Sequence, residues 1–317
     1  MKAIAVDPLN ISTGQYQSIQ KELYEAGHDF YMYPDRNENS DAIVERAKDA
    51  DIMIISNIPV TKKMLDNLPN LKLLNVAFTG VDHIALDACR QKGINVCNAA
   101  GYSTIAVSEL TIGLTIDVLR KITSLEKHTR HQQGREGFLG REIAGKTAGI
   151  IGTGAIGSRT AYILKAMGAK VIAYSRTEKK ELINTGIEYV SMEKLLQDSD
   201  IISLHLPSTK ETHHLISEKQ LSIMKDSSVL INTARGPIVD YNALSNALKE
   251  GTISGAGIDV YEKEPPIDPE HSLLKAPNTV LVPHIAYATH EAMALRADIV
   301  KNNIIQYAKG SPQNIIT

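Results

Sequence analysis

The chain has 317 residues, of which 43% are apolar and 22% charged, with a formal net charge of -2 and two cysteines. This composition suits soluble globular domains, with room for two of ordinary size, and it excludes the broad basic field that nucleic acid or anionic lipid would need. Met1–Asp7 is too short an apolar run for a secretory leader, no stretch approaches the roughly 20 residues that span a bilayer, and Cys89 and Cys97 form no C-x-x-C pair, so a reducing cytoplasm is expected.

From the start the chain alternates strand-like and helix-like segments: Ala3–Val6, Tyr16–Glu25, Asp29–Tyr33, Asp41–Lys48 and Ile52–Ile55. The alternation continues through Leu73–Val76, a helix over about 84–91 and Ile94–Cys97, and it predicts an α/β domain around a parallel sheet ending near residue 100. Ser103–Ile122 follows, with Ala106, Leu110, Leu114 and Val118 at helical spacing, and is expected to be one long helix bridging the domains. Beyond a polar stretch with His128 and His131, a second alternating series opens at Thr147–Ile151 and runs to about Pro283. Ala292, Leu295, Ile299 and Ile304 then mark a last helix. A cofactor fold of this type completes its sheet earlier, so that helix is expected to return to the first domain. The expected organisation is therefore 1–100 plus 290–317 for the substrate and 101–289 for a dinucleotide.

The dinucleotide expectation rests on Thr147–Ile151 as a strand, Gly152-Thr153-Gly154-Ala155-Ile156-Gly157 as a turn and Ser158–Met167 as a helix. Gly152 permits the tight turn, Gly154 lets the backbone approach a pyrophosphate, and Gly157 lets helix and strand pack, with the helix N-terminus facing the anion. After the next strand, Val171–Tyr174, an NAD site places a carboxylate for the ribose hydroxyls, but this chain has Ser175, Arg176 and Thr177. Two hydroxyls and a guanidinium suit a 2′-phosphate, with Lys179 and Lys180 nearby, so NADP(H) is favoured and NAD(H) remains the alternative. Ala155, Ile156, Leu206, Pro207, Thr233, Ala234 and Asp259 complete the expected cofactor contacts.

Val229–Asn232 reads as a buried strand, and the loop after it carries Arg235 toward the strand ends, where ligands bind in such sheets. The planar fork of Arg235 can hold a substrate carboxylate and orient the adjacent keto carbon for hydride attack. Asp259, after Gly257 and Ile258, is placed to accept from a nicotinamide carboxamide. Glu264 follows, and a carboxylate beside a histidine favours the imidazolium. His284, after Val280–Val282, is then the acid that protonates the carbonyl oxygen, and the base in the reverse direction. Thr79 and Gly80 follow a strand of the first domain and offer substrate contacts, Gly80 through its backbone. His205 reads as a packed histidine, and the pairs His128 with His131 and His213 with His214 lack further ligands at metal spacing, so no metal is expected.

With GIIGTGAIG, NTARGPIVD, GIDVYEKEPP and PHIAYAT in this order, the chain resembles the D-isomer-specific 2-hydroxyacid dehydrogenases over essentially its full length. The resemblance implies a flavodoxin-like substrate domain, an inserted Rossmann domain, a homodimer, and the roles above for Arg235, Glu264 and His284. Glu264 is not the glutamine of formate dehydrogenases, and Thr79 is not the lysine of phosphite-oxidising members. Ile54–Pro59 lacks the arginines with which phosphoglycerate dehydrogenases hold a phosphate. Asn75–Gly80 and Val96–Thr104 look most like the glycerate dehydrogenase and hydroxypyruvate or glyoxylate reductase branch, so a small 2-keto acid is expected. Reduction of D-lactate type or branched 2-keto acids is the alternative, with Tyr102 and Tyr287 bordering the substrate side chain. The same fold serves dinucleotide-sensing corepressors, against which stand the compact length and the lack of basic tracts.

Overall fold

Short apolar runs rich in Ile, Val and Leu become strands covered on both faces, the arrangement a parallel sheet requires. In the computed structural model, which describes all residues 1–317, two compact units form: Met1–Ser103 with Ala288–Thr317, and Thr104–Tyr287.

The first unit holds a five-stranded sheet of β1 (Lys2–Ala5), β2 (Asp29–Met32), β3 (Ile52–Ile55), β4 (Leu73–Val76) and β5 (Asn95–Asn98) in the order β2-β1-β3-β4-β5. Every pairing is parallel, with Ala3 opposite Ile52 and Ile52 opposite Leu73. This is the doubly wound order in which the winding reverses between β1 and β3. Helix Thr13–Glu25 begins three residues before the expected start, because Ser12 and Gln15 form a reciprocal capping box.

Helix His290–Ala308 belongs to this unit, where Ala297, Val300 and Ile304 share a core with Ala3, Ile52, Ile54 and Leu73. Its buried face differs from the apolar stripe read in the sequence: Leu295 is exposed, whereas Arg296 and Asn303 are buried. Each polar side chain finds a partner. Asn303 Nδ2 donates to Asn75 Oδ1 and to the Asn98 carbonyl, and Arg296 donates to the Leu9 carbonyl. Beyond the helix, Ile315 forms an antiparallel bridge with Cys97, and the Ile316 N–H donates to the Val96 carbonyl, covering the outer edge of β5.

The second unit opens with helix Thr104–Arg120. The single helix expected through Ile122 is broken at Lys121, whose φ of 52° is left-handed, and a second helix, Ile122–Arg130, runs into the stretch read only as polar. Its sequence conceals it, since none of its residues is buried.

The sheet of this unit comprises β6 (Thr147–Ile151), β7 (Lys170–Tyr174), β8 (Glu188–Tyr189), β9 (Ile201–Leu204), β10 (Val229–Asn232), β11 (Gly255–Ile258) and β12 (Thr279–Leu281). The order is β12-β11-β10-β9-β6-β7-β8, all parallel. Parallel strands bring all seven C-terminal ends to one edge, and the winding reverses between β6 and β9. No helix is long and apolar enough to cross a membrane.

Candidate active site

The loop after β6 occupies the reversal point of the larger sheet, and its glycines answer to separate demands. Gly152 has a φ of +94°, and a Cβ there would collide with the His205 carbonyl at the end of β9. Gly157, inside helix Ala155–Ala166, lies against the Gly152 carbonyl, where a Cβ would also collide. Gly154 faces open space and caps that helix with no side chain accepting its first N–H groups. An open approach to uncapped N–H groups at a helix N-terminus fits a dinucleotide pyrophosphate.

Ser175 is half-buried and Arg176 and Thr177 are exposed after β7, with no carboxylate among them. Lys179 turns back to the glycine turn: its Nζ donates to Ser158 Oγ at 3.2 Å, and its backbone N–H donates to Tyr189 Oη, which itself donates to Thr153 Oγ1 at 2.9 Å. Leu206 is partly buried and Pro207 exposed after β9. His205 keeps partial solvent access as a residue, yet burial of its ring pushes its pKa down to about 3, and Nε2 meets Ser203 Oγ at 2.9 Å.

After β10, Asn232 shapes the loop that carries Arg235. Its Oδ1 accepts from the Ala234 N–H, and its Nδ2 donates to the Arg235 carbonyl and to Tyr241 Oη. Thr233 Oγ1 meets Thr111 Oγ1 at 2.9 Å, which ties the loop to helix Thr104–Arg120. Gly236 is buried against the backbone of Tyr261 and Glu262, where a Cβ would collide, so the Arg235 loop lies directly beside the loop leading to Glu264. Arg235 is half-buried, and one guanidinium nitrogen donates to the Ala234 carbonyl at 2.8 Å.

His284 follows β12 with a φ of 56°, a left-handed backbone that side chains other than glycine rarely adopt. Its Nδ1 lies 2.8 Å from Oε2 and 3.0 Å from Oε1 of Glu264. A carboxylate only accepts, so Nδ1 carries the proton and Nε2 is the nitrogen left to work. The ring is mostly covered while Glu264 is half-exposed, and Tyr287 stands edge-on to the imidazole at 5.2 Å.

Asp259 is fully buried, and its two oxygens accept from the backbone N–H groups of Ile285 at 2.6 Å and Ala286 at 3.0 Å. Burial raises its pKa, although these amides and the nearby His284 charge pull the other way. Sequence reasoning aims this carboxylate at a cofactor carboxamide, and in the structure its oxygens also accept from the backbone just after His284. Tyr261 adds a second hold, donating through Oη to the Val282 carbonyl. Neither contact had a sequence signal, because the partners are 21 to 27 residues apart.

Thr79 and Gly80 lie in the smaller unit, on the turn after β4. Asn98 Nδ2 donates to the Thr79 carbonyl at 2.7 Å, and the Ala99 N–H donates to the Phe78 carbonyl, so the turn is tied to the end of β5. His213 and His214 stack at 4.1 Å, and no group of three or more His, Cys, Asp or Glu side chains is gathered as a metal ion would need.

Residues 112–286 match the family described as D-isomer specific 2-hydroxyacid dehydrogenase, NAD binding domain. A glyoxylate reductase of Thermococcus litoralis is 42% identical over 285 residues, covering 86% of each chain. A glycerate dehydrogenase of Methylorubrum extorquens is 39% identical, covering 86% of this chain and 88% of its own. Among solved structures, an acyclic imino acid reductase in complex with NADPH and D-Arg superposes with a TM-score of 0.90 at 32% identity, over 100% of both chains.

Proposed function

The chain belongs to the D-isomer-specific 2-hydroxyacid dehydrogenases, oxidoreductases of the CH–OH group, and from that premise we propose that it reduces a small 2-keto acid, glyoxylate or hydroxypyruvate, with NADP(H) as the favoured cofactor. The observation that carries this reading is the Glu264–His284 pair, which leaves Nε2 of a carboxylate-backed imidazole at the same sheet edge as Arg235 and the glycine turn.

When bound, the dihydronicotinamide supplies a hydride. The Gly152–Gly157 turn would hold its pyrophosphate, with Ala155 and Ile156 at the helix N-terminus and Leu206, Pro207, Thr233 and Ala234 at the neighbouring strand ends. Asp259 would accept from the nicotinamide carboxamide while holding the backbone beside His284. Arg235 pairs its fork with the substrate carboxylate, and Thr79 and Gly80 of the smaller unit offer contacts to the acid. As the carbonyl carbon gains its hydride, negative charge grows on oxygen, and His284 delivers a proton to that oxygen from Nε2. Glu264, hydrogen-bonded at Nδ1, stabilises the charged ring before transfer and holds its orientation. In the oxidative direction Nε2 takes the hydroxyl proton.

The names of the relatives support the small-acid branch. Ser175, Arg176 and Thr177 support the phosphorylated dinucleotide, because a 2′-phosphate meets two hydroxyls and a guanidinium and no opposing carboxylate. A homodimer is the working form that the family resemblance supports. The test is initial-rate reduction of hydroxypyruvate, glyoxylate, pyruvate and 2-ketoisocaproate, each with NADPH and with NADH. Preference for either of the first two acids with NADPH is the expected result. Preference for 2-ketoisocaproate would overturn the substrate assignment, and preference for NADH the cofactor assignment.

A further inference from the structure

The smaller unit buries a charge that the mechanism above does not use. Arg296, on helix His290–Ala308, is 1% exposed. One guanidinium nitrogen donates to the Leu9 carbonyl at 2.6 Å, just past the end of β1. The guanidinium carbon stands 5.3 Å from the Phe78 ring centroid and 5.9 Å from that of Tyr102, and the two rings meet edge to face at 6.0 Å. Asp7, also buried, feels the positive charge of Arg296 and accepts from the Ser56 N–H at 3.1 Å, bridging the ends of β1 and β3.

These contacts lie at an informative place in the sheet. The winding reverses between β1 and β3, and in open α/β sheets ligands bind outside the strand ends at such a reversal. Arg296 reaches from there to Phe78 after β4 and Tyr102 after β5. Burying an arginine is costly unless its charge and donors are matched. An apolar side chain would fill the same space at less cost, as Met293 does one turn earlier on the helix. What an apolar side chain lacks is the directional grip: a charged hydrogen bond to β1's end and a planar cation against two rings.

We propose that Arg296 is a positioning residue for the 2-keto acid, fixing Phe78 so that the adjoining Thr79–Gly80 turn presents its backbone N–H groups to the substrate carboxylate. This rests on the substrate role given to that turn above. The contacts described run to the ends of the smaller sheet beside the Thr79–Gly80 turn, so the hold is expected to act on binding of the acid.

The test compares Arg296→Met, similar in length and uncharged, with Arg296→Lys and Phe78→Leu in the full-length protein. The expected result is a KM for glyoxylate raised about tenfold in Arg296→Met, with kcat and the KM for NADPH within about twofold of the parent. Arg296→Lys keeps the charge without the planar fork and should fall between. Phe78→Leu keeps the arginine but removes a stacking ring, and it should show the same split even if Arg296→Met fails to fold. A purely structural role predicts otherwise: a smaller folded fraction lowers apparent kcat and the thermal midpoint while KM stays put, and that outcome overturns the inference. If the parent protein reduces no 2-keto acid with either cofactor, the functional reading falls and takes this one with it. If the parent is active and every variant keeps its KM, the positioning role alone falls.

Discussion

Both oxygens of Glu264 lie against the same nitrogen of His284, Nδ1, at 2.8 and 3.0 Å. The carboxylate therefore dictates which imidazole nitrogen faces outward. A single positioned acid or base contributes roughly 10²- to 10⁴-fold to rate. His284→Ala should lower kcat by that factor while leaving the dissociation constant for NADPH, read by fluorescence titration, near its original value. An equal loss of dinucleotide affinity would show that the variant had disturbed the fold instead of removing a proton donor.

Arg235→Lys keeps the charge and loses the two-pronged geometry. Hydrogen bonds to charged groups contribute about 1.5 to 3 kcal/mol each. Replacing the fork should therefore lower kcat/KM for glyoxylate by roughly ten- to a hundredfold. Near-normal kinetics in this variant would remove the carboxylate-clamp role.

Ser175 stands where an acidic side chain would repel a 2′-phosphate. Ser175→Asp should move the ratio of kcat/KM for NADPH over NADH toward NADH by at least tenfold, about 1.4 kcal/mol, mostly through a weaker KM for NADPH. A ratio that does not move would locate the discrimination elsewhere.

His205 supplies a dependence of stability on acid. Its folded pKa of about 3 lies below the ordinary histidine value of 6.5, so between those values the unfolded chain binds a proton that the folded chain refuses. Stability therefore falls as pH drops from about 6.5 toward 3 and is fully present above that window. Thermal midpoints at pH 7 and pH 4.5 should differ more for the parent than for His205→Gln, which keeps a polar side chain and cannot titrate. Equal differences in the two proteins would count against the buried neutral ring.

Much of the fold was legible because buried parallel strands leave nearly unbroken apolar runs: Ile52–Ile55, Leu73–Val76 and Val229–Asn232 lie where the sequence put them. The glycine turn was equally plain, since its residue types are imposed by backbone geometry and close approach. Helix Ile122–Arg130 was hidden because it buries no residue, so no apolar stripe marks it. The reading of Leu295 as inward-facing failed for a related reason: pattern rules assign polar side chains to solvent, and here Arg296 and Asn303 have partners inside the unit. Glu264 and His284 could be named from their strand ends, but the second carboxylate, Asp259, could not be given its backbone partners, which lie far along the chain.

The smaller unit draws its residues from both sides of the larger one, with Ala297, Val300 and Ile304 completing a core begun by Ala3, Ile52 and Leu73. A ribosome must therefore deliver the whole of Thr104–Tyr287 before that core can close, a wait of roughly ten to forty seconds at ordinary elongation rates. During that interval the outer edge of β5, later covered by Ile315 and Ile316, is open to pairing with any passing strand. Nascent chains stalled just beyond Tyr287 would then present a complete larger unit joined to an incomplete smaller one, the species on which chaperones would be expected to act.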